Sequence, residues 1–490
     1  MRFPKIRFRA AVILCATWLC LIGTCPAQKI DSQVDRYMNA LLKLHRFTGS
    51  VLIARNGKIL VSRGYGMANL EDQIPNSPQT KFRIASITKQ FTAMGILILQ
   101  ERGKLNVQDE FCRYIVKCPE AWQHITIHQL LTHTSGIPDY HREIPELRQP
   151  APFIPADQVI EIISRKPLHF IPGEQFRYSN SGYYLLGHII EKVSGESYDS
   201  FLRTNIFSPL GMKDTGLDDL TLVLRHRAIG YVRRWDKFLN ALFKQTPPAY
   251  ADAGLYSTVE DLLRWDQALY TERLISEKSL AAMLSPLIRM SITAPWGTFN
   301  GNYGYGWIIT DQFNHRAQVH GGIADGFTTF IMRFPEDKAT IVFLGNLDFA
   351  PMEAIARSLT AITFGEKYQM PKQSIAQILF DTTMTEGIEA ALKEYRHFKS
   401  TRAGHYEFSE RELNSLGYDL LNRKRVAEAI EVFKLNVEAY PESFNVYDSL
   451  GEAYMVNGNK EHAIKNYQKS VELNPQNTNG SDILKRLKQQ

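Results

Sequence analysis

Between Ser86 and Arg102 the chain places Phe91, Met94, Ile96, Leu97, Ile98 and Leu99 around every side of a helical wheel. A helix that is apolar on all faces has no side to show water, so other elements must enclose it. Gly103 follows as a natural left-handed cap. The chain is long enough to build that enclosure. At 490 residues it exceeds one compact core, and two or more domains are expected. Apolar residues make up 44% and charged residues 22%, which excludes a wholly disordered chain.

Strand signals stand at both ends of the first 370 residues. Val51–Ala54 and Ile59–Val61 flank Asn56-Gly57, a strong two-residue hairpin signal. Around Gln318–His320, Phe327–Phe334 and Thr340–Leu344 the chain is again β-rich, broken by Pro335-Glu336-Asp337. The stretch between reads mostly as helix and loop. One helix follows Asn180 to Gly195; another starts at Ser257-Thr258-Val259-Glu260, which has capping-box spacing. Strands outside and helices inside predict an α+β domain over residues 28–370, an antiparallel sheet flanked by helices.

The last quarter repeats with a period of 34. Leu416-Gly417, Ala429, Phe433 and Pro441 recur as Leu450-Gly451, Ala463, Tyr467 and Pro475. Period and residue types resemble the tetratricopeptide repeat, which implies an all-α helical-repeat domain and a protein partner. Two units with a capping helix fill 413–490. Residues 371–412 are helical in pattern but out of register, either a linker or a degenerate leading unit.

Residues 1–27 read as a secretory signal: Arg2, Lys5, Arg7 and Arg9, then the apolar run Ala10–Ile22, then Ala27 as a cleavage site. An uncleaved signal or a lipidated Cys25 are the alternatives that would keep the chain on a membrane. The exported reading makes the protein periplasmic or secreted. It leaves Cys112 and Cys118, six apart, which predicts a disulfide closing a small surface loop. The formal charge of +6 falls to +2 without the first nine residues, and no basic cluster stands out, so nucleic acid is not an expected partner.

Three short constellations carry possible chemistry. Ser86-Ile87-Thr88-Lys89 puts a hydroxyl and an amine on one face of a helix start, as a serine nucleophile needs. Tyr178-Ser179-Asn180 offers a phenol for proton transfer and an amide for a substrate. Asn180 also suits a plain helix N-cap. His320-Gly321-Gly322 lies on a predicted strand whose glycines allow close approach.

Together, and in this order, the three resemble the SxxK, YxN and HxG motifs of the penicillin-recognising serine hydrolases: class C β-lactamases, DD-peptidases, D-aminopeptidases and esterases. Leu130–Ile137, Pro172-Gly173-Glu174 and Gly254–Thr258 extend the resemblance over about residues 30–365. It implies that Ser86 is acylated, that Lys89 and Tyr178 share the proton work, and that Asn180 holds the substrate amide. It also implies an oxyanion hole from the backbone amides of Ser86 and Ile323, and substrate contacts from His320 and Gly322. Class C β-lactamases have Lys-Thr-Gly at the third motif, where a cation and a hydroxyl grip a carboxylate. Here His320 is only partly charged near neutral pH and Gly321 has no hydroxyl, which favours esterase or D-amino-acid peptidase activity over efficient β-lactam hydrolysis.

No cofactor is implied. A zinc site from His124, His128 and His133 is the weaker rival, because no carboxylate follows at the needed spacing. A sensor that binds peptidoglycan or peptide on the same fold is the alternative function. The retained Ser86 and Lys89 argue against it.

Overall fold

The computed structural model describes residues 26–115, 118–144, 156–219, 221–241, 250–294, 297–348 and 350–489. Residues 1–25, which carry most of the expected signal, lie outside that range. Asn56 and Gly57 take left-handed backbone, φ 52° and 72°, as a two-residue hairpin turn requires. They join β1 (Gly49–Arg55) to β2 (Lys58–Tyr65). The middle of the domain departs from expectation. Where helix and loop were expected, three strands appear: β3 (Ile288–Ala294), β4 (Gly297–Tyr303) and β5 (Ile308–Gln312). Gly-Thr-Phe-Asn-Gly-Asn-Tyr over β4 has little strand propensity. Its extended state comes from pairing, Ile288↔Tyr303 through Ala294↔Gly297. The expected final strands are β6 (His315–Ala324), β7 (Phe327–Phe334) and β8 (Ala339–Gly345). All eight form one antiparallel sheet in the order β3-β4-β5-β6-β7-β8-β1-β2.

The central strands are apolar on both faces, and each face is covered. Val51, Ile53, Ile341 and Phe343 point one way, into a core with α1 (Pro26–Lys43). Leu52, Ala54, Val342 and Leu344 point the other, into the larger core. That core holds α2 (Thr88–Glu101), α3 (Asn180–Ser194) and α4 (Val259–Ala268). In α2 every residue from Thr88 to Leu99 is buried. The cap of α4 is Thr258, whose hydroxyl accepts from the Asp261 amide at 3.2 Å, one residue later than the sequence spacing suggested. The first core is closed by α5 (Met352–Phe364).

Beyond it come seven helices: α6 (Ile375–Thr385), α7 (Ile388–Thr401), α8 (Glu410–Asn422), α9 (Val426–Ala439), α10 (Phe444–Val456), α11 (Lys460–Leu473) and α12 (Thr478–Gln489). Leu379, Phe380, Ala391 and Tyr395 of α6 and α7 share one core with Leu413, Leu416, Ala429 and Phe433. The out-of-register segment is thus a helix pair packed on the first repeat unit. A hairpin from the sheet-containing domain, Tyr231–Arg233 paired with Phe238–Asn240, reaches onto this module. Trp235 stacks on Phe380 with ring centroids 5.9 Å apart. Asp236 pairs with Arg423 at 2.9 Å, and Arg233 donates to Gln377 at 2.6 Å. Arg46 adds an ion pair to Glu407 at 2.7 Å. Cys112 and Cys118 stand with Cα atoms 5.4 Å apart, within disulfide span. Among the described residues, no helix is long and apolar enough to cross a membrane.

Candidate active site

Ser86 is placed by a strained turn. Phe82–Arg83 pairs with Tyr256–Ser257, and the Ile84 amide bonds the Leu255 carbonyl at 2.9 Å. The chain then turns through Ala85 at φ +46°, a left-handed conformation that costs a non-glycine residue about 1–3 kcal/mol. A 3-10 turn over Ala85–Ile87 carries Ser86 and runs straight into α2. One helical turn on, Lys89 is fully buried. All three of its ammonium hydrogens have acceptors: Ser86 Oγ at 3.1 Å, Asn180 Oδ1 at 2.8 Å and the Asp252 carbonyl at 2.8 Å. The Tyr178 ring lies 4.8 Å from its nitrogen and the Tyr183 ring 5.5 Å.

Asn180 is the first residue of α3, and the cap position is Ser179. Its side chain does not cap the helix. It bridges Lys89 and Asp139, donating to Asp139 Oδ2 at 3.1 Å. Tyr178 is held by an aromatic box. The His133 ring packs tilted against it with centroids 4.3 Å apart, and His133 Nδ1 accepts from the Ser179 amide at 3.2 Å. Burial drives the His133 imidazole well below its ordinary range, with the Lys89 charge adding to the effect. His133 thus belongs to this box and not to a metal centre. His124 bonds Glu110 and His128 bonds Tyr305, each at about hydrogen-bond length, 3.0 and 2.8 Å. Among the described residues no group of three or more His, Cys, Asp or Glu side chains converges.

His320 donates from Nδ1 to the Gly321 carbonyl at 2.7 Å, which leaves Nε2 to accept from the Tyr303 hydroxyl at 3.1 Å. Burial, then the Lys89 charge, pushes its pKa down to about 3. The partly charged histidine expected from sequence is therefore neutral at physiological pH. Gly322 has a geometric reason: a β-carbon there would stand 2.1 Å from the Ile84 carbonyl oxygen. A β-carbon on Gly321 would stand 2.6 Å from Met352 Sδ. Two-residue turns bound β6, pairing Gln312↔His315 and Ala324↔Phe327. Amides alternate along such a strand, so those of Gly321 and Ile323 point to the β5 side. There β5 has already ended, at Ile308↔Val319, and the Ser86 turn packs against the exposed stretch.

Ser86, Tyr178, Asn180, His320, Gly321 and Ile323 open onto one cavity of about 240 Å³, so the structure gathers the sequence-predicted residues in one place. Gly322 backs it through Ile84. Sequence reasoning missed Asp252, Asp139 and Tyr140. Tyr140 donates to Asp252 Oδ2 at 3.1 Å, and burial raises the Asp252 carboxyl above its ordinary range. Asp252 serves Lys89 through its backbone carbonyl, which no side-chain motif can announce.

Fold and site together are those of an α+β serine-hydrolase class. The chain belongs to the β-lactamase family, whose model matches residues 30–362. It is 32% identical over 349 residues to Penicillin-binding protein 4* of Bacillus subtilis, covering 67% of this chain and 75% of that one. To Protein flp of Staphylococcus aureus it is 32% identical over 339 residues, covering 66% of this chain and 63% of that protein. The octameric penicillin-binding protein homologue from Pyrococcus abyssi superposes with a TM-score of 0.62 at 27% identity, covering 72% of this chain and 81% of the other. A tetratricopeptide-repeat model matches residues 444–477, the second unit.

Proposed function

We propose that the protein is an exported acyl-serine hydrolase of esters or amides. The observation that carries this reading is the buried Lys89 ammonium bonded to Ser86 Oγ at the wall of the cavity. In the reacting form the Lys89–Tyr178 pair holds one proton fewer than an ammonium and a phenol together; Ser86 Oγ attacks the acyl carbonyl carbon and its proton passes to that pair. The amides of Ser86 and Ile323 stabilise the oxyanion. The bond to the leaving alcohol or amine breaks, the leaving group takes the proton, and acyl-Ser86 remains. Water, deprotonated by the same pair, then releases the acid. Asn180 Nδ2 carries two hydrogens and donates to both oxygens of Asp139, at 3.1 and 3.3 Å; a substrate carbonyl competes with the longer of these bonds.

The neutral His320 supplies no cation for a carboxylate. Penicillins are therefore poor substrates beside small esters, by about ten- to a hundredfold, the worth of one charge-assisted contact. Residues 371–490 dock a protein partner, and a Cys112–Cys118 disulfide forms in the exported protein. The test is hydrolysis of a panel of esters, D-amino-acid amides and penicillins by the full chain and by Ser86→Ala. Turnover by the parent alone supports the reading; equal turnover by both sinks it.

A further inference from the structure

The far wall of the catalytic cavity is built from side chains that the three motifs do not include. Ile292 of β3 and Phe299 of β4 are direct cross-strand partners, and both line it. Ile308 of β5, Phe330 of β7, Met352 at the start of α5 and Ile323 complete that side. Phe299 stacks on Phe330 with centroids 5.7 Å apart, and Phe330 stacks in turn on Phe343 at 5.6 Å. The wall is therefore anchored to the core. Its chemistry is one-sided: all six are apolar. Among the described residues the lining holds no arginine or lysine; its second histidine, His141, is exposed and lies on the Tyr140–Asp252 side, and His320 is neutral with both ring nitrogens engaged. Lys89 lies behind Ser86 with its three hydrogens already assigned.

We infer that the β3–β4 hairpin and Met352 form an acyl-group pocket, and that the substrates are esters of short, uncharged, apolar acids. This inference rests on the acyl-serine reading of Ser86 and names the group that Ser86 receives. The cavity of about 240 Å³ is smaller than the roughly 300–1,000 Å³ of pockets for drug-sized ligands, which sets the acyl group as short. Each methylene that enters should raise kcat/KM about fourfold. A carboxylate at the acyl end would be buried without a partner and should lower it at least about tenfold.

The experiment uses the full chain with p-nitrophenyl acetate, butyrate and hexanoate, and with the glutarate monoester as the carboxylated counterpart. A fluorophosphonate adduct on Ser86 is measured in parallel. The expected result is a rise from acetate to hexanoate, a glutarate monoester well below butyrate, and loss of the chain-length rise in Phe299→Ala. Ile292→Ala, on the opposite strand, gives the same readout if the first variant does not fold. A glutarate monoester turned over as well as butyrate, or a rise unchanged in both variants, overturns the acyl-pocket assignment. With Ser86 labelled, that result leaves the hydrolase reading standing. No label on Ser86 and no ester turnover overturns both.

Discussion

Gly322 and Gly417 both stand where no β-carbon fits, and the two contacts differ in kind. At Gly322 the obstacle is backbone, the Ile84 carbonyl oxygen at 2.1 Å, brought from the far end of the domain. At Gly417 the obstacle is the Phe433 ring at 2.5 Å, on the next helix of the same unit. Gly451 repeats the second arrangement against Tyr467 at 3.0 Å. The catalytic region thus fixes its geometry through unique long-range contacts that cannot yield. The repeat region fixes its own through local contacts copied from unit to unit, and a side chain can give way.

This contrast is broken most directly at the nucleophile. Ser86→Ala should lower ester kcat/KM at least about 10³-fold while the protein stays folded. Leu416→Ala, in the core of the helical module, should do the reverse. It should cost about 2–5 kcal/mol of stability and leave ester turnover in place. Steady-state kinetics with circular-dichroism melts read both, and a matching loss of activity in the two variants would erase the distinction.

The glycine pair sharpens it next. Gly322→Ala forces the Ser86 turn and β6 apart and should lower kcat/KM about 10²-fold, the scale of a misplaced nucleophile. Gly417→Ala should destabilise the module by about 1–3 kcal/mol with unchanged kinetics. Normal turnover by Gly322→Ala would show that the close approach is dispensable.

Truncation asks whether the regions stand alone. Residues 374–490 should melt cooperatively, and 401–490 should not, because Leu379, Phe380, Ala391 and Tyr395 complete the core under α8. A fragment ending at residue 370 should keep most of its small-ester turnover. The Trp235–Phe380 stack that it loses is worth about 0.5–1.5 kcal/mol. A cooperative, monomeric melt of 401–490, or an inactive folded fragment, would contradict this division.

The same contrast explains what the sequence made legible. The repeats were readable because Gly417 and Gly451 each meet a partner inside the same unit, Phe433 and Tyr467, so period alone reveals them. Asn56-Gly57 announced its hairpin for the same local reason. The candidate site residues were readable only through three short motifs taken in order. The contacts that assemble them, Lys89 to Asp252 and Gly322 to Ile84, leave no local trace. β4 was missed because Gly297, Asn300, Gly301 and Asn302 are poor strand formers held by their neighbours. The docking of Trp235 on Phe380 joins segments with no shared pattern.

A further expected effect is on acid stability. His320 in the folded protein has a pKa of about 3, against 6.5 in the unfolded chain, with burial as the main cause. Between those values the unfolded chain binds a proton that the native protein refuses, so stability falls as pH drops from 6.5 towards 3. His320→Gln should flatten part of that slope in melts run across this window. An unchanged slope would mean that His320 takes up its proton while folded.

The central claim, that Ser86 receives the acyl group, is tested most directly by rapid-quench mass spectrometry of the full chain during turnover of a hexanoate ester. One hexanoyl group per chain is expected, on the peptide containing Ser86, appearing before the acid is released and missing from Ser86→Ala. An acyl group on another residue, or turnover with no covalent adduct and undiminished in Ser86→Ala, would contradict it.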